Sequence, residues 1–392
     1  MFVPGQAVAR GQEPAAPQPV AAAQLRAAID KLGNLDYDAR TAAARTVRRA
    51  PAMQAVPALI RAVAEHADGY VRYRALVLLT GFNDARTADA MRESLASPND
   101  RLRSVAYSFF ERNPDRAMLR DLRAGLDKEQ AEFVRPALIR ALAATARVLP
   151  TDGIGRNDVI QAQQTLVREA GRGEDFFRSA VIEALGDYRA EYASDTINAI
   201  VMLDGPLQDD AAIALGKIGD KRVLGTLASL QRTAPRTAQP AIAAAICLLG
   251  VNCDSHEHYL IETLKFADQN VGFQELLRAA AAGLGALGVA GHAEAADALF
   301  DVGIPSRDPA RSPVALALGA IALRNTPLML SLLDKRADRP KAIDLLAEGF
   351  DMLEEDLDKE RFFALTRRTY WESADNPSTR DLMQTLIGKL DF

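Results

Sequence analysis

The chain has 392 residues, of which 48% are hydrophobic, 6% aromatic and 25% charged, and its formal net charge is −5. That much apolar material can bury a sizeable core and excludes a wholly disordered chain, while no apolar run approaches the ~18 residues of a membrane-spanning helix. The overall acidity argues against a sequence-independent grip on nucleic acid, although residues 1–190 hold 27 Lys and Arg against 23 Asp and Glu and the remainder 20 against 29.

Residues 1–20 are rich in Pro, Ala and Gln and lack periodicity, which predicts a disordered tail. Within it, Ala7-Val8-Ala9 and the Pro-rich spacer that follows match the end of an export signal. Two locations stay open: the periplasm or outside if the native start lies upstream, and the cytoplasm otherwise.

From residue 21 the chain reads as helix after helix. The stretches "GYVRYRALVLLTGFND" (69–84), "NDRLRSVAYSFFERNPD" (99–115) and "AEFVRPALIRAL" (131–142) carry apolar residues at helical spacing. "RVLPTDGIGRND" (147–158) then interrupts with Pro150, Gly153 and Gly155, predicting an inserted loop or hinge over 148–158 between a 21–147 array and a 159–392 array. "FFRSAVIEALGDYR" (176–189) and "AAIALGKIGDKR" (211–222) share an Ala-Leu-Gly ending. In the second, Leu207, Ala211, Leu215 and Ile218 form one apolar face, Gly219 supplies the left-handed stop, and Asp220 caps the next helix. Further helices follow in "RTAQPAIAAAICLLG" (236–250), "GFQELLRAAAAGLGALG" (272–288), "SPVALALGAIAL" (312–323) and "PKAIDLLAEGF" (340–350). Pro136, Pro240 and Pro313 each begin an apolar run, where a missing N–H costs little. The segment from about 357 leaves the repeat and is expected to cap the last apolar face.

Aligned on Arg40, Arg72, Arg103 and Arg135, the units recur at steps of 32, 31 and 32 residues. A helical hairpin leaves apolar surface that only the next hairpin covers, so this period predicts an all-α protein, a right-handed α-solenoid of about ten helix pairs. "DDAAIALGKIGDKRVLGTLASL" (209–230), with the recurring "VR" followed by Ala or Leu, resembles HEAT-like repeats of the bacterial type, also seen in phycobilisome lyase subunits. The resemblance spans about 35–390. It implies an interaction scaffold more readily than an enzyme.

Arg40, Arg72, Arg103, Arg135 and Arg178 form a ladder at the start of successive second helices, and the register reads Gln at 208 and 239. The ladder is read as structural, each guanidinium pairing with a nearby acid among Asp38, Asp68, Asp100, Asp127 and Asp175. Arg45, Arg48, Arg74, Arg101 and Arg140 lie in the same basic half, where residues 40–140 carry 18 Lys and Arg against 12 Asp and Glu. They predict a basic groove for a partner protein or peptide, with nucleic acid as the less favoured occupant.

Both cysteines and two of the four histidines crowd into "CLLGVNCDSHEH" (247–258). Cys247 and Cys253 are candidates for a disulfide, and Cys253, His256 and His258 for a metal site, which would make the chain a metal protein or a HEAT-fold enzyme instead. The single His-Glu pair falls short of a di-iron centre, and no nucleophile elbow, Walker loop or dinucleotide fingerprint occurs. No catalytic residue and no cofactor is predicted.

Overall fold

The computed structural model describes residues 18–147, 155–353, 355–390 and 392. The alanines at 7–9, most of the expected tail and most of the expected 148–158 hinge lie outside them. Among the described residues there are twenty-two α-helices and no strand. They follow one another as hairpins: α1 (Ala22–Asp30) and α2 (Tyr37–Arg49), α3 (Ala52–Glu65) and α4 (Gly69–Leu79), α5 (Arg86–Ser94) and α6 (Asp100–Arg112), α7 (Leu119–Lys128) and α8 (Arg135–Thr145). Next come α9 (Arg156–Ala170) and α10 (Asp175–Asp187), α11 (Ser194–Val201) and α12 (Gln208–Ile218), α13 (Leu224–Thr233) and α14 (Gln239–Leu248), α15 (Cys253–Gln269) and α16 (Gln274–Ala290). The last are α17 (Ala293–Gly303) and α18 (Arg311–Arg324), α19 (Thr326–Lys335) and α20 (Arg339–Met352), α21 (Asp356–Glu372) and α22 (Pro377–Lys389). The architecture is an all-α solenoid. No single helix among the described residues is long and apolar enough to cross a membrane.

Local chemistry explains the breaks. Asp36, Asp68 and Asn99 each accept a backbone N–H at the start of α2, α4 and α6, satisfying donors that a helix leaves orphaned. Pro136 and Pro240 sit in the first turn of α8 and α14. Gly219, at φ +89°, ends α12 in the left-handed conformation, and Asp220 then accepts from the Arg222 N–H.

The described residues fall into two compact units: those up to residue 90 with 330–347 and those from 355 onward, and those within 91–329 with 348–353. In the larger, second unit the second helices α6, α8, α10, α12, α14, α16 and α18 stack side by side. The stack is close. A Cβ placed on Gly186 would come within 2.7 Å of the Ala214 Cα, and one on Gly216 within 2.6 Å of the Ala245 Cα. The glycine of the Ala-Leu-Gly signature is thus a point of contact between neighbouring second helices, in addition to lying near a helix end.

In the first unit both ends of the chain share one core. Helix α21 packs on α4 and on the 80–82 turn that follows it. Arg48 of α2 donates to Glu360 of α21 from Nε at 2.9 and 3.0 Å and from Nη2 at 2.7 Å. Their side chains are only 6% and 1% exposed.

Candidate functional site

The predicted arginines divide into two sets by what their guanidinium groups meet. In the ladder, Arg40 donates to the Asn34 carbonyl at 2.7 Å, Arg72 to Val63 at 2.7 Å, Arg103 to Ser97 at 2.9 Å and Arg178 to Ala170 at 3.1 Å. Each acceptor lies at or just after the end of the preceding helix. These four arginines therefore seal carbonyls at or near the ends of their first helices. Of the five expected aspartate partnerships only Arg178–Asp175 forms, at 3.0 Å. The others are replaced by carbonyls because the turn returns the arginine to the end of its own hairpin partner, while Asp68 is committed to the Tyr70 N–H. Arg103 gains a carboxylate from another direction, a two-toothed pair with Glu129 at 2.7 and 2.9 Å. Arg135 stacks over Phe177 at 4.2 Å.

The register continues where the arginines stop. Gln208 and Gln239 donate from their amides to Val201 at 3.0 Å and Ala234 at 3.1 Å, and Arg311 and Arg339 resume the ladder on Gly303 at 2.8 Å and Leu333 at 3.1 Å. Arg311 and Arg339 were legible at the same offset from their helices, but they fall outside the 31–32-residue step that picks out the first four.

The expected basic groove is corrected by its own partners. Arg48 is buried on Glu360. Arg74 is 20% exposed and lies 3.4 Å from Asp356, with burial pushing its basicity down. Arg140 donates to Glu111 and to Asp187, both at 2.8 Å, and Lys217 meets the other oxygen of Asp187 at 2.7 Å. Burial raises the Asp187 carboxyl, but Lys217 and Arg140 outweigh it and hold the group at about 2. Glu111, Arg140, Asp187 and Lys217 thus form a chain of ion pairs across α6, α8, α10 and α12. Three of the five groove arginines serve as internal ties, leaving Arg45 half-buried and Arg101 exposed on the surface.

Two adjacent, largely buried aspartates stand at the start of α12. Asp209, in the first turn of α12, is raised to about 6 by burial and by neighbouring Asp210. Asp210 accepts from the Ser179 hydroxyl at 2.5 Å.

The surface feature that sequence reasoning missed is apolar. Several large exposed hydrophobic residues lie in or beside the turns that precede second helices: Phe133 before α8, Phe176 in the first turn of α10, Met202 and Leu203 before α12, and Val271 and Phe273 before α16, while Met53, Leu316, Met352 and Trp371 are exposed elsewhere. Their exposures are substantial, with Phe133 at 54%, Phe176 at 60% and Leu203 at 64%. Phe266 reaches Phe273 edge-on at 5.0 Å. In the first unit Leu35 and Tyr37 hold the equivalent position before Arg40. The signal was available: an apolar residue two places before Arg135 and Arg178 breaks the rule that turns are polar.

The histidines rearrange the metal expectation. Cys247 and Cys253 are joined as a disulfide. His258 is exposed, and His256 turns to Gln231 at 3.2 Å, so neither joins Cys253. The histidine beside the cysteines is His292, whose Nδ1 lies 3.7 Å from the Cys253 sulfur. Cys253 and His292 stand at the starts of successive first helices, 39 residues apart, where local spacing gives no clue and repeat register does.

Hairpins stacked in this way, with a recurring arginine at their turns and glycine contacts between second helices, define an α-solenoid. Residues 25–111 and 56–143 match the family model for HEAT repeats. Residues 25–143 are thus built of HEAT repeats, and helical hairpins continue beyond the matched region. A comparison with curated proteins finds no match. Among solved structures it is similar to a multiply substituted Kap121p, with 14% identity, TM-score 0.43, and coverage of 94% of this chain and 45% of that one. It is also similar to importin beta, with 13% identity, TM-score 0.44, and coverage of 95% and 55%. The chain spans about half the length of these structures, and likenesses this distant carry no functional inference.

Proposed function

We propose that the protein is a non-enzymatic scaffold that holds a partner protein or peptide against the turns preceding the second helices of its larger unit. One observation carries this reading: Phe133, Phe176, Met202, Leu203, Val271 and Phe273 are exposed and all lie in or beside the turns that lead into second helices. Large exposed apolar residues concentrated in one structural position mark interaction surface, whereas scattered ones do not. The turns at Phe176 and at Met202–Leu203 are also held in place, because Arg178 and Gln208, which follow them, are bonded to the preceding helix ends. A preorganised turn loses little entropy on binding.

The test is affinity capture with full-length protein as bait, comparing wild type with Phe133→Ser/Phe176→Ser/Leu203→Ser and with Arg45→Glu/Arg101→Glu. Because the three apolar residues are exposed, the serine variant keeps its circular dichroism and melting temperature. It is expected to lose the partner, and the arginine variant to keep it. Retention by the serine variant with loss by the arginine variant moves the site to the surviving basic surface.

A further inference from the structure

The turn at the start of α15 gathers a donor set that the scaffold reading does not use. The Cys247 and Cys253 sulfurs and a ring nitrogen of His292 all lie within 4.8 Å of one another. Glu257, one turn along α15, is 8% exposed and places Oε2 3.4 Å from the same His292 Nδ1. Its other oxygen, Oε1, is buried without a hydrogen-bond partner. A buried carboxylate oxygen with nothing to bind is costly unless it serves a ligand.

We propose that Cys247, Cys253, His292 and Glu257 form a zinc site when the two cysteines are reduced. Two thiolates, an imidazole and a carboxylate are the ligand types zinc selects, and four is the number a tetrahedral site needs. The spacing agrees. With zinc–ligand bonds of about 2.0–2.3 Å, the edges of a coordination tetrahedron are roughly 3.4 Å for nitrogen to oxygen and 3.5 Å for sulfur to nitrogen. The observed separations are 3.4 Å for His292 to Glu257 and 3.7 Å for Cys253 to His292. The side chain of His292 is 30% exposed, which gives an ion a way in.

The disulfide and the metal exclude each other. A dithiol reductant breaks the Cys247–Cys253 bond, becoming a cyclic disulfide as its two electrons and two protons leave two cysteine thiols. Zinc then displaces those two protons to solvent as two Zn–S bonds form. The site links α14, the start of α15 and the start of α17, so its occupancy ties two successive hairpins.

The experiment uses the full chain, reduced with a dithiol, stripped of metal and freed of reductant under anaerobic conditions, with zinc or cobalt(II) ions as the only probe. Reduced wild type is expected to take up one zinc per chain and, with cobalt, to show thiolate charge-transfer absorption and the intense visible bands of tetrahedral coordination. Oxidised protein is expected to take up none. His292→Ala and Glu257→Gln should each weaken binding about tenfold or more, and Cys253→Ser should abolish the charge-transfer band. His256→Ala/His258→Ala, which alters only residues outside the cluster, should bind as wild type does. Substoichiometric zinc in the reduced protein overturns the proposal. So does unchanged affinity in His292→Ala, or loss in His256→Ala/His258→Ala with circular dichroism preserved.

Discussion

Replacing Arg48 by Met removes the cation from a pair that binds the N-terminal and C-terminal helices into one core. Three contacts of 2.7–3.0 Å are lost, and Glu360, whose side chain is 1% exposed, is left without the guanidinium it bonds. Breaking one partner of a buried ion pair costs about 3–5 kcal/mol. At roughly 2–4 °C per kcal/mol for a unit of this size, the melting temperature of the first unit falls on the order of 10 °C. Glu360→Leu in the Arg48→Met background removes the stranded charge and is expected to restore most of that loss, so the double variant melts above the single one. Differential scanning calorimetry of the full chain reads both. A shift under about 2 °C for the single variant, or a double variant that melts lower still, would refute the claim that this pair holds the two ends together.

Gly216→Ala forces a methyl to within 2.6 Å of the Ala245 Cα and 2.9 Å of its carbonyl oxygen. Denaturant titration should show a loss of about 1–3 kcal/mol, the usual cost of overpacking. Arg72→Gln keeps a donor for the Val63 carbonyl, as Gln208 and Gln239 do at their own positions, whereas Arg72→Met does not. The Met variant should be less stable than the Gln variant by about 1 kcal/mol in urea. Asp209 has a folded value of about 6 against an ordinary 3.8, because burial and Asp210 disfavour its charge. The folded chain binds that proton more tightly than the unfolded one, so its contribution is full below about 4 and lost as the pH rises through 6. Asp209→Asn should therefore gain melting temperature over wild type at pH 8 and lose that advantage at pH 4; an equal difference at both values contradicts the assignment.

What the sequence discloses follows from the range of the interaction. The helices, their caps and their period depend on residues within a turn or two, so Gly219, Asp220 and the opening prolines are legible by inspection. The ladder is legible in position and not in chemistry. Whether a guanidinium meets an aspartate or a carbonyl depends on where the turn delivers it, and here the turn returns it to the end of the preceding helix. The basic groove misleads because counting charge treats each arginine as solvated, while the partners of Arg48 and Arg140 lie 312 and 47 residues further on. His292 escapes for the same reason. It is remote from Cys253 in the chain and adjacent only once hairpins stack.

The most direct test of the central claim is site-specific photocrosslinking in native extract, with the reactive side chain placed at position 176 or 203 in one pair of proteins and at position 101 in a third. The account predicts the same discrete adduct from 176 and 203 and none from 101. An adduct from 101 with none from the two turn positions would contradict it.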